Sequence, residues 1–493
     1  MEFKFLNMAN RLQPIPTDLI LNRMKYENPW WVTNMIDTEY DDLKRRSYFD
    51  LFYKLVEESD VKRAVVLMGP RRVGKTVLMH HAICDLIKKR KIRNSKICFI
   101  TIENPLYLNM GLEELFQLAR GAAGDSNPKG WYVFFDEIQY LKNWEVHLKV
   151  LVDSYPATKF IVSGSAAAAL KLKSDESGAG RFTDFMLPPL TFFEYIQLKE
   201  LTNLISESHV FWKGGKRPFY GTNNIEIFNN YFVDYINFGG YPEVIFSEKI
   251  KANVSRFIKS DIIDKVLLRD LPSLYGIQDV QELNTFFTRL VYYTGNELSL
   301  ETLSVSSGVN KHTLKKYLEY LEAAFLIKQI HRIDESGKHF KRQNYYKVYL
   351  TNPSLRSALF SPLQPTDDMM GYMVETAIFS QWLHRSNFVP WYSRWNGGEG
   401  EVDMVGLDRK TQKPNWAVEI KWSNRLFSST TELKNLILFC EKNNIKEAFV
   451  TTLDKWGGRT VNNISINFVP SSVYAFNVGF NTLANKYHEI IGG

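Results

Sequence analysis

The chain has 493 residues, a formal net charge of +7 and 45% hydrophobic residues. That length accommodates about three domains at ~150 residues each, and the apolar fraction excludes wholesale disorder. The mild positive balance permits a nucleic-acid partner without demanding one. Three cysteines, Cys84, Cys98 and Cys440, stand far apart without metal-ligand spacing. They argue against a disulfide framework or zinc site and for a reducing compartment. The opening MEFKFLNMAN lacks the apolar core of a signal peptide, and no stretch approaches the ~20 apolar residues of a membrane span. A cytoplasmic protein with no membrane partner is expected.

In chain order, residues 1–45 read as an N-terminal extension. Its aromatic segment (Tyr26, Trp30, Trp31) and acidic cluster (Glu39, Asp41, Asp42) suit packing on the next domain. The tryptophan pair also suits a partner surface. Helical apolar spacing over 48–57 leads to the strand Val65-Val66-Leu67-Met68. Next comes Gly69-Pro70-Arg71-Arg72-Val73-Gly74-Lys75-Thr76-Val77, a G-x-x-x-x-G-K-[ST] phosphate loop between a strand and a helix. Its backbone amides are expected to surround the phosphates of ATP or ADP. Lys75 would face the β- and γ-phosphates, and the Thr76 hydroxyl would complete a Mg²⁺ shell.

A helix is predicted over 77–89, a strand over 97–102 and a helix over 112–119. Trp131-Tyr132-Val133-Phe134-Phe135-Asp136-Glu137 reads as a buried parallel strand with acids at its C-terminal edge, the edge on which a phosphate loop opens. Asp136 is expected to hold Mg²⁺ through water, and Glu137 to orient or deprotonate the attacking water. The strand 159–162 closes on Ser163-Gly164-Ser165. Ser163 and Ser165 either sense the γ-phosphate or cap the next helix. Arg181 is a candidate arginine finger toward its own or a neighbouring subunit's nucleotide, or else a surface arginine in a mobile loop.

The phosphate loop is followed by Phe135-Asp136-Glu137-Ile138-Gln139, Ser163-Gly164-Ser165, Gly180-Arg181 and Leu187-Pro188-Pro189-Leu190-Thr191-Phe192-Phe193-Glu194-Tyr195. Then come Phe238-Gly239-Gly240-Tyr241-Pro242-Glu243 and Leu268-Arg269-Asp270-Leu271. This ordered set resembles the prokaryotic AAA-type ATPases that carry a C-terminal DUF4143 domain, over about residues 46–423. The resemblance implies an ATPase core with a helical lid, a winged helix and a nuclease-like end. The expected divisions are a core at 46–200, a lid at 201–293, a winged helix at 294–352 and a C-terminal domain at 353–493. The basic, glycine-rich stretch inside 196–230 is expected to be an exposed loop.

Residues 298–327 read as helix, turn, helix. Gly308 lies at the turn, and Lys311, His312, Lys315 and Lys316 lie near the exposed side of the second helix. Strands at 327–333 and 345–350 would form the wing. Such a module either contacts DNA or serves as packing. Farther on, a helix from 372 carries Glu375, and three strands follow, at 391–395, 401–405 and 416–421. Glu419 and Lys421 share one strand face, with Asp403 on the neighbouring strand. These are the elements of a metal-dependent phosphodiesterase. Glu375, Asp403 and Glu419 would hold Mg²⁺ or Mn²⁺, and Lys421 would activate water. The arrangement resembles the PD-(D/E)xK nuclease core, with Glu401-Val402 in place of the proline before Asp403. A β-rich edge is expected over 462–478.

The fold expected is therefore α/β: a P-loop AAA+ core with helical lid, a winged helix-turn-helix and a C-terminal PD-(D/E)xK-like α/β domain. The expected function is ATP hydrolysis coupled to a nuclease-like domain acting on DNA or another nucleic acid, in defence against foreign DNA, with a homo-oligomer allowed. The alternatives are an ATP-dependent DNA-binding regulator and a STAND-like switch, each with an inert nuclease fold.

Overall fold

A computed structural model describes residues 16–33, 38–58, 60–107, 110–164, 180–212, 214–340, 345–383, 388–395 and 398–491. Five strands form a parallel sheet: β1 (Ala64–Met68), β2 (Ile97–Thr101), β3 (Tyr132–Asp136), β4 (Lys159–Gly164) and β5 (Phe182–Met186), in the order β2-β3-β4-β1-β5. Alternation along β1 explains its two covered faces. Val65 and Leu67 join Leu78, Met79 and Ile83 of the helix Lys75–Lys88 in one core. Val66 and Met68 join Leu115, Phe116, Leu148 and Leu151 of the helices Leu112–Ala122 and Trp144–Ser154 in another. A strand buried on both faces reads as an unbroken apolar run, as β1 and β3 do.

The N-terminal extension packs on the open edge of this sheet. The Asn28 side chain imitates a neighbouring strand: its Nδ2 donates to Phe99 O at 2.8 Å, and Phe99 N donates to its Oδ1 at 2.6 Å. Trp30 and Trp31 both donate to Ile97 O, at 2.9 and 2.7 Å. Ile97 O, Phe99 O and Phe99 N on the edge of β2 are thereby covered, which blunts a template for strand addition.

Residues 196–230, expected as a loop, instead hold the hairpin β6 (Ile205–Trp212) and β7 (Gly215–Thr222). Trp212, Phe219 and Tyr220 pack on the C-terminal core, and Asn477 bonds both backbone groups of Tyr220. Its polar outer residues hid the pattern. Helical segments then run from Ile225–Phe238 to Val280–Tyr292.

A nine-stranded sheet occupies the second half of the chain. Its strands are β8 (Glu297–Ser299), β9 (Ile327–Ile333), β10 (Tyr345–Leu350), β11 (Trp391–Trp395), β12 (Gly400–Leu407), β13 (Pro414–Glu419), β14 (Glu447–Thr452), β15 (Gly457–Val461) and β16 (Ile464–Pro470). The order is β15-β16-β14-β13-β12-β11-β9-β10-β8. Parallel pairing of β9 with β11 joins the strands after the helix pair Leu300–Ser307 and Lys311–Ala323 to those that follow, so one sheet crosses residue 352. The stretch 462–478 is only half strand: the helix Ser471–Ile491 begins directly after Pro470. Val473 to Phe476 are all buried, so burial shows neither period and the run resembles a strand. Lys486 of this helix reaches back to the first sheet, donating to Met186 O at 2.8 Å. Among the described residues, no helix is long and apolar enough to cross a membrane.

Candidate nucleotide site and C-terminal pocket

The loop after β1 turns through positive φ at Gly69 (159°), Arg72 (64°) and Gly74 (92°) before the helix Lys75–Lys88 starts. At Gly69 shape also matters: a Cβ there would lie 2.2 Å from Leu187 O. Arg46 braces the loop from behind. Its guanidinium is 6% exposed, pairs at 2.7 Å with the fully buried Glu194, and donates to Val73 O at 2.9 Å. Glu194 closes a capping box with Thr191, so the Leu187–Tyr195 motif supports the phosphate loop.

Strand order sets the chemistry. Because β4 lies between β1 and β3, its tip residue Ser163 sits beside both acidic and loop edges. Ser163 Oγ donates to Asp136 Oδ1 and accepts from Glu137 N at 3.2 Å. Thr76 Oγ1 donates to Asp136 Oδ2 at 2.7 Å. Burial, then the neighbouring Glu137 charge, pushes the Asp136 carboxyl up to about 6. Lys75 Nζ donates to Gly69 O and Pro70 O at 3.1 and 2.8 Å, and burial holds its pKa below the ordinary lysine value. Glu137 takes a left-handed conformation (φ 55°), and Gln139 donates to its carboxylate. The hydroxyl and carboxylate oxygens of Thr76 and Asp136 match the hard-oxygen preference of Mg²⁺, and the glycine-shaped loop matches a polyphosphate.

The two loop arginines are engaged by acids of the helical region. Arg71 pairs with Asp270 at 2.8 Å and donates to Tyr140 OH at 2.8 Å. Arg72 pairs with Glu243 and Asp261, both at 2.6 Å. Both Glu243 and Asp270 belong to motifs visible in the sequence, although their partners were not. Ser165 lies outside the described residues. Arg181 falls at the wrong end of the sheet for a finger in cis: its carbonyl bonds Ala64 N at the start of β1, and its guanidinium pairs with Asp153 at 3.1 Å. The loop lies at the other end of β1, about 15 Å away at ~3.3 Å per strand residue.

The C-terminal pocket is a cavity of about 460 Å³. Antiparallel β12 and β13 pair Met404 with Val418, which sets Asp403 opposite Glu419. Lys421 Nζ bridges them, 2.9 Å from Asp403 Oδ2 and 2.8 Å from Glu419 Oε1. Burial, then the Asp403 charge, pushes Glu419 up to about 7, and its buried Oε2 has no hydrogen-bond partner. Glu375 enters from the helix Met370–Trp382, but it is taken up by Lys347 at 2.9 Å and by the Tyr349 hydroxyl. Lys347 was missed in the sequence; its signal was a cation inside the apolar run of β10. Among the described residues no three acids, histidines or cysteines group as metal ligands. Of the expected set, Glu375 is bonded by Lys347, and Lys421 stands between Asp403 and Glu419.

Residues 61–196 match a family model described as an AAA domain, and residues 229–366 match a domain of unknown function, DUF8612, which overlaps the domain expected as DUF4143, at 353–493, only over its first residues. An uncharacterized protein of Haemophilus influenzae is 23% identical over 414 residues, 83% of this chain and 93% of that protein. An uncharacterized protein of Methanocaldococcus jannaschii is 25% identical over 330 residues, 66% of this chain and 67% of that one. Among solved structures, a Walker-type ATPase of Pyrococcus abyssi is 17% identical with a TM-score of 0.38, covering 65% of this chain and 99% of that chain. With the phosphate loop and the acidic tip of β3 adjoining on one sheet edge, the matched first segment is an AAA-type P-loop ATPase core.

Proposed function

We propose that the protein hydrolyses ATP at the phosphate loop and uses the cycle to act on nucleic acid through its C-terminal pocket. In the ATPase site Lys75 neutralises phosphate charge, Thr76 and Asp136 hold Mg²⁺, and Glu137 positions or deprotonates water. Bound Mg²⁺ supplies charge neutralisation at the β- and γ-phosphates. Ser163 fixes the orientation of Asp136 and the backbone at Glu137.

The convergence of Asp403, Glu419 and Lys421 in one cavity carries the nuclease-like reading. Asp403 and Glu419 would hold a divalent ion, which supplies Lewis acidity at a phosphodiester. Lys421, 35% exposed, is free enough to follow developing negative charge. Lys311, His312, Lys315 and Lys316 are all exposed on the helix Lys311–Ala323, which supports reading that helix pair and its strands as a winged helix that meets DNA.

The two sites share physical connections. Gln381, on the Glu375 helix, accepts from Phe192 N at 2.8 Å, and Phe192 opens the helix whose Glu194 braces Arg46. The test is cleavage of single- and double-stranded DNA and RNA, with and without ATP and Mn²⁺. Metal-dependent cleavage lost in Asp403→Ala is expected. Full ATPase activity with no cleavage of any substrate would instead favour the regulator.

A further inference from the structure

Lys347 has no place in a three-carboxylate metal set, yet it is the most enclosed of the cations lining the pocket. Its side chain is 4% exposed, against 29% for Arg394 and 35% for Lys421. Its Nζ lies 2.9 Å from Glu375 Oε1, 2.7 Å from Glu401 Oε1 and 3.9 Å from Asp403 Oδ1. Three carboxylates therefore share this one enclosed ammonium. Lys421 is placed differently. It takes Asp403 Oδ2 and Glu419 Oε1, leaving Glu419 Oε2 buried and unpartnered.

We propose that Lys347 is a built-in cation occupying the second metal position of this pocket, which therefore takes a single divalent ion, at Asp403 and Glu419. The inference rests on the nuclease-like reading. A pocket for two ions holds them about 3.5–4 Å apart, clamped on both sides of the reacting phosphate. Asp403 is the carboxylate that both positions would share, and its Oδ1 faces Lys347 while its Oδ2 faces Lys421. An ammonium and a hard divalent ion cannot both bond the same oxygens, because an Mg²⁺ ion needs them at about 2.0–2.1 Å. Lys421 can swing toward solvent to admit an ion. Lys347, 4% exposed and enclosed by Glu375, Glu401 and Asp403, has no such route. Its fixed charge gives the electrostatic effect of a second ion without exchange.

The test is Mn²⁺ binding to the nucleotide-free full chain, counted by calorimetry and by the paramagnetic resonance of bound Mn²⁺, with Asp403→Asn marking which ions belong to the pocket. One Asp403-dependent ion is expected in the wild type and in Lys347→Arg, and two in Lys347→Met. If Lys347→Met fails to fold, Lys347→Gln, which keeps a donor for Glu375, gives the same count. Two Asp403-dependent ions in the wild type, or one in every folded variant, would overturn the proposal. No Asp403-dependent ion in any variant would remove the nuclease-like reading along with it.

Discussion

The phosphate loop and the C-terminal pocket both gather lysines and carboxylates, and they balance charge in opposite ways. In the loop Lys75 donates to two backbone carbonyls, and the main chain from Gly69 onward supplies the shape. In the pocket the ammonium groups meet carboxylates instead: Lys347 meets three and Lys421 meets two. Acids still outnumber cations six to three along its lining. The first site is built to receive an anion, and the second keeps a surplus of negative charge suited to a cation.

Four substitutions probe this contrast. Lys75→Ala should have the largest effect. Hydrogen bonds to charged groups are worth about 1.5–3 kcal/mol each, so losing the phosphate contacts weakens ATP binding by about 100-fold or more. Fluorescent-nucleotide titration reads this, and unchanged affinity would break the comparison at its first half. Arg46→Ala should cost about 3–5 kcal/mol in chemical denaturation, because Glu194 is left buried without its counter-charge. A loss below about 1 kcal/mol would show that the brace behind the loop is dispensable.

The third concerns pH. Asp136 is raised from 3.8 to about 6 in the folded chain by burial and then by Glu137. The folded state therefore binds this proton more tightly, and stability from the group is present at low pH and lost as pH rises through about 6. Asp136→Asn should stabilise the nucleotide-free protein by about 1–3 kcal/mol at pH 8, and by little at pH 4. An equal effect at both pH values would contradict the assigned cause. Arg181→Ala should matter least. Turnover in dilute, monomeric protein should stay within about twofold, given a separation of about 15 Å from the loop. A collapse of activity in the monomer would place the arginine in the site after all.

Legibility in the sequence followed how each site is made. Phosphate binding by main-chain amides needs consecutive residues, so Gly69 to Thr76 announced itself, and the apolar run before Asp136 marked its strand. The C-terminal pocket joins residues 347, 375, 401, 403 and 419 from a helix and three strands, with 421 just beyond the last of them. Glu419 and Lys421 were visible through their spacing. Lys347 could be found only by asking what neutralises a lysine inside a buried strand. Chain order left the role of Arg181 open because it does not show that the residue just before β5 lies at the sheet end away from the phosphate loop. The hairpin β6–β7 was obscured because Val210 is the one hydrophobic residue of its two strands that is fully buried.

ATP turnover in Glu137→Gln, with nucleotide affinity measured in the same preparation, tests the central claim most directly. The account predicts wild-type affinity with turnover reduced about 100-fold or more, the range expected when a general base is removed. Undiminished hydrolysis in that variant would contradict it.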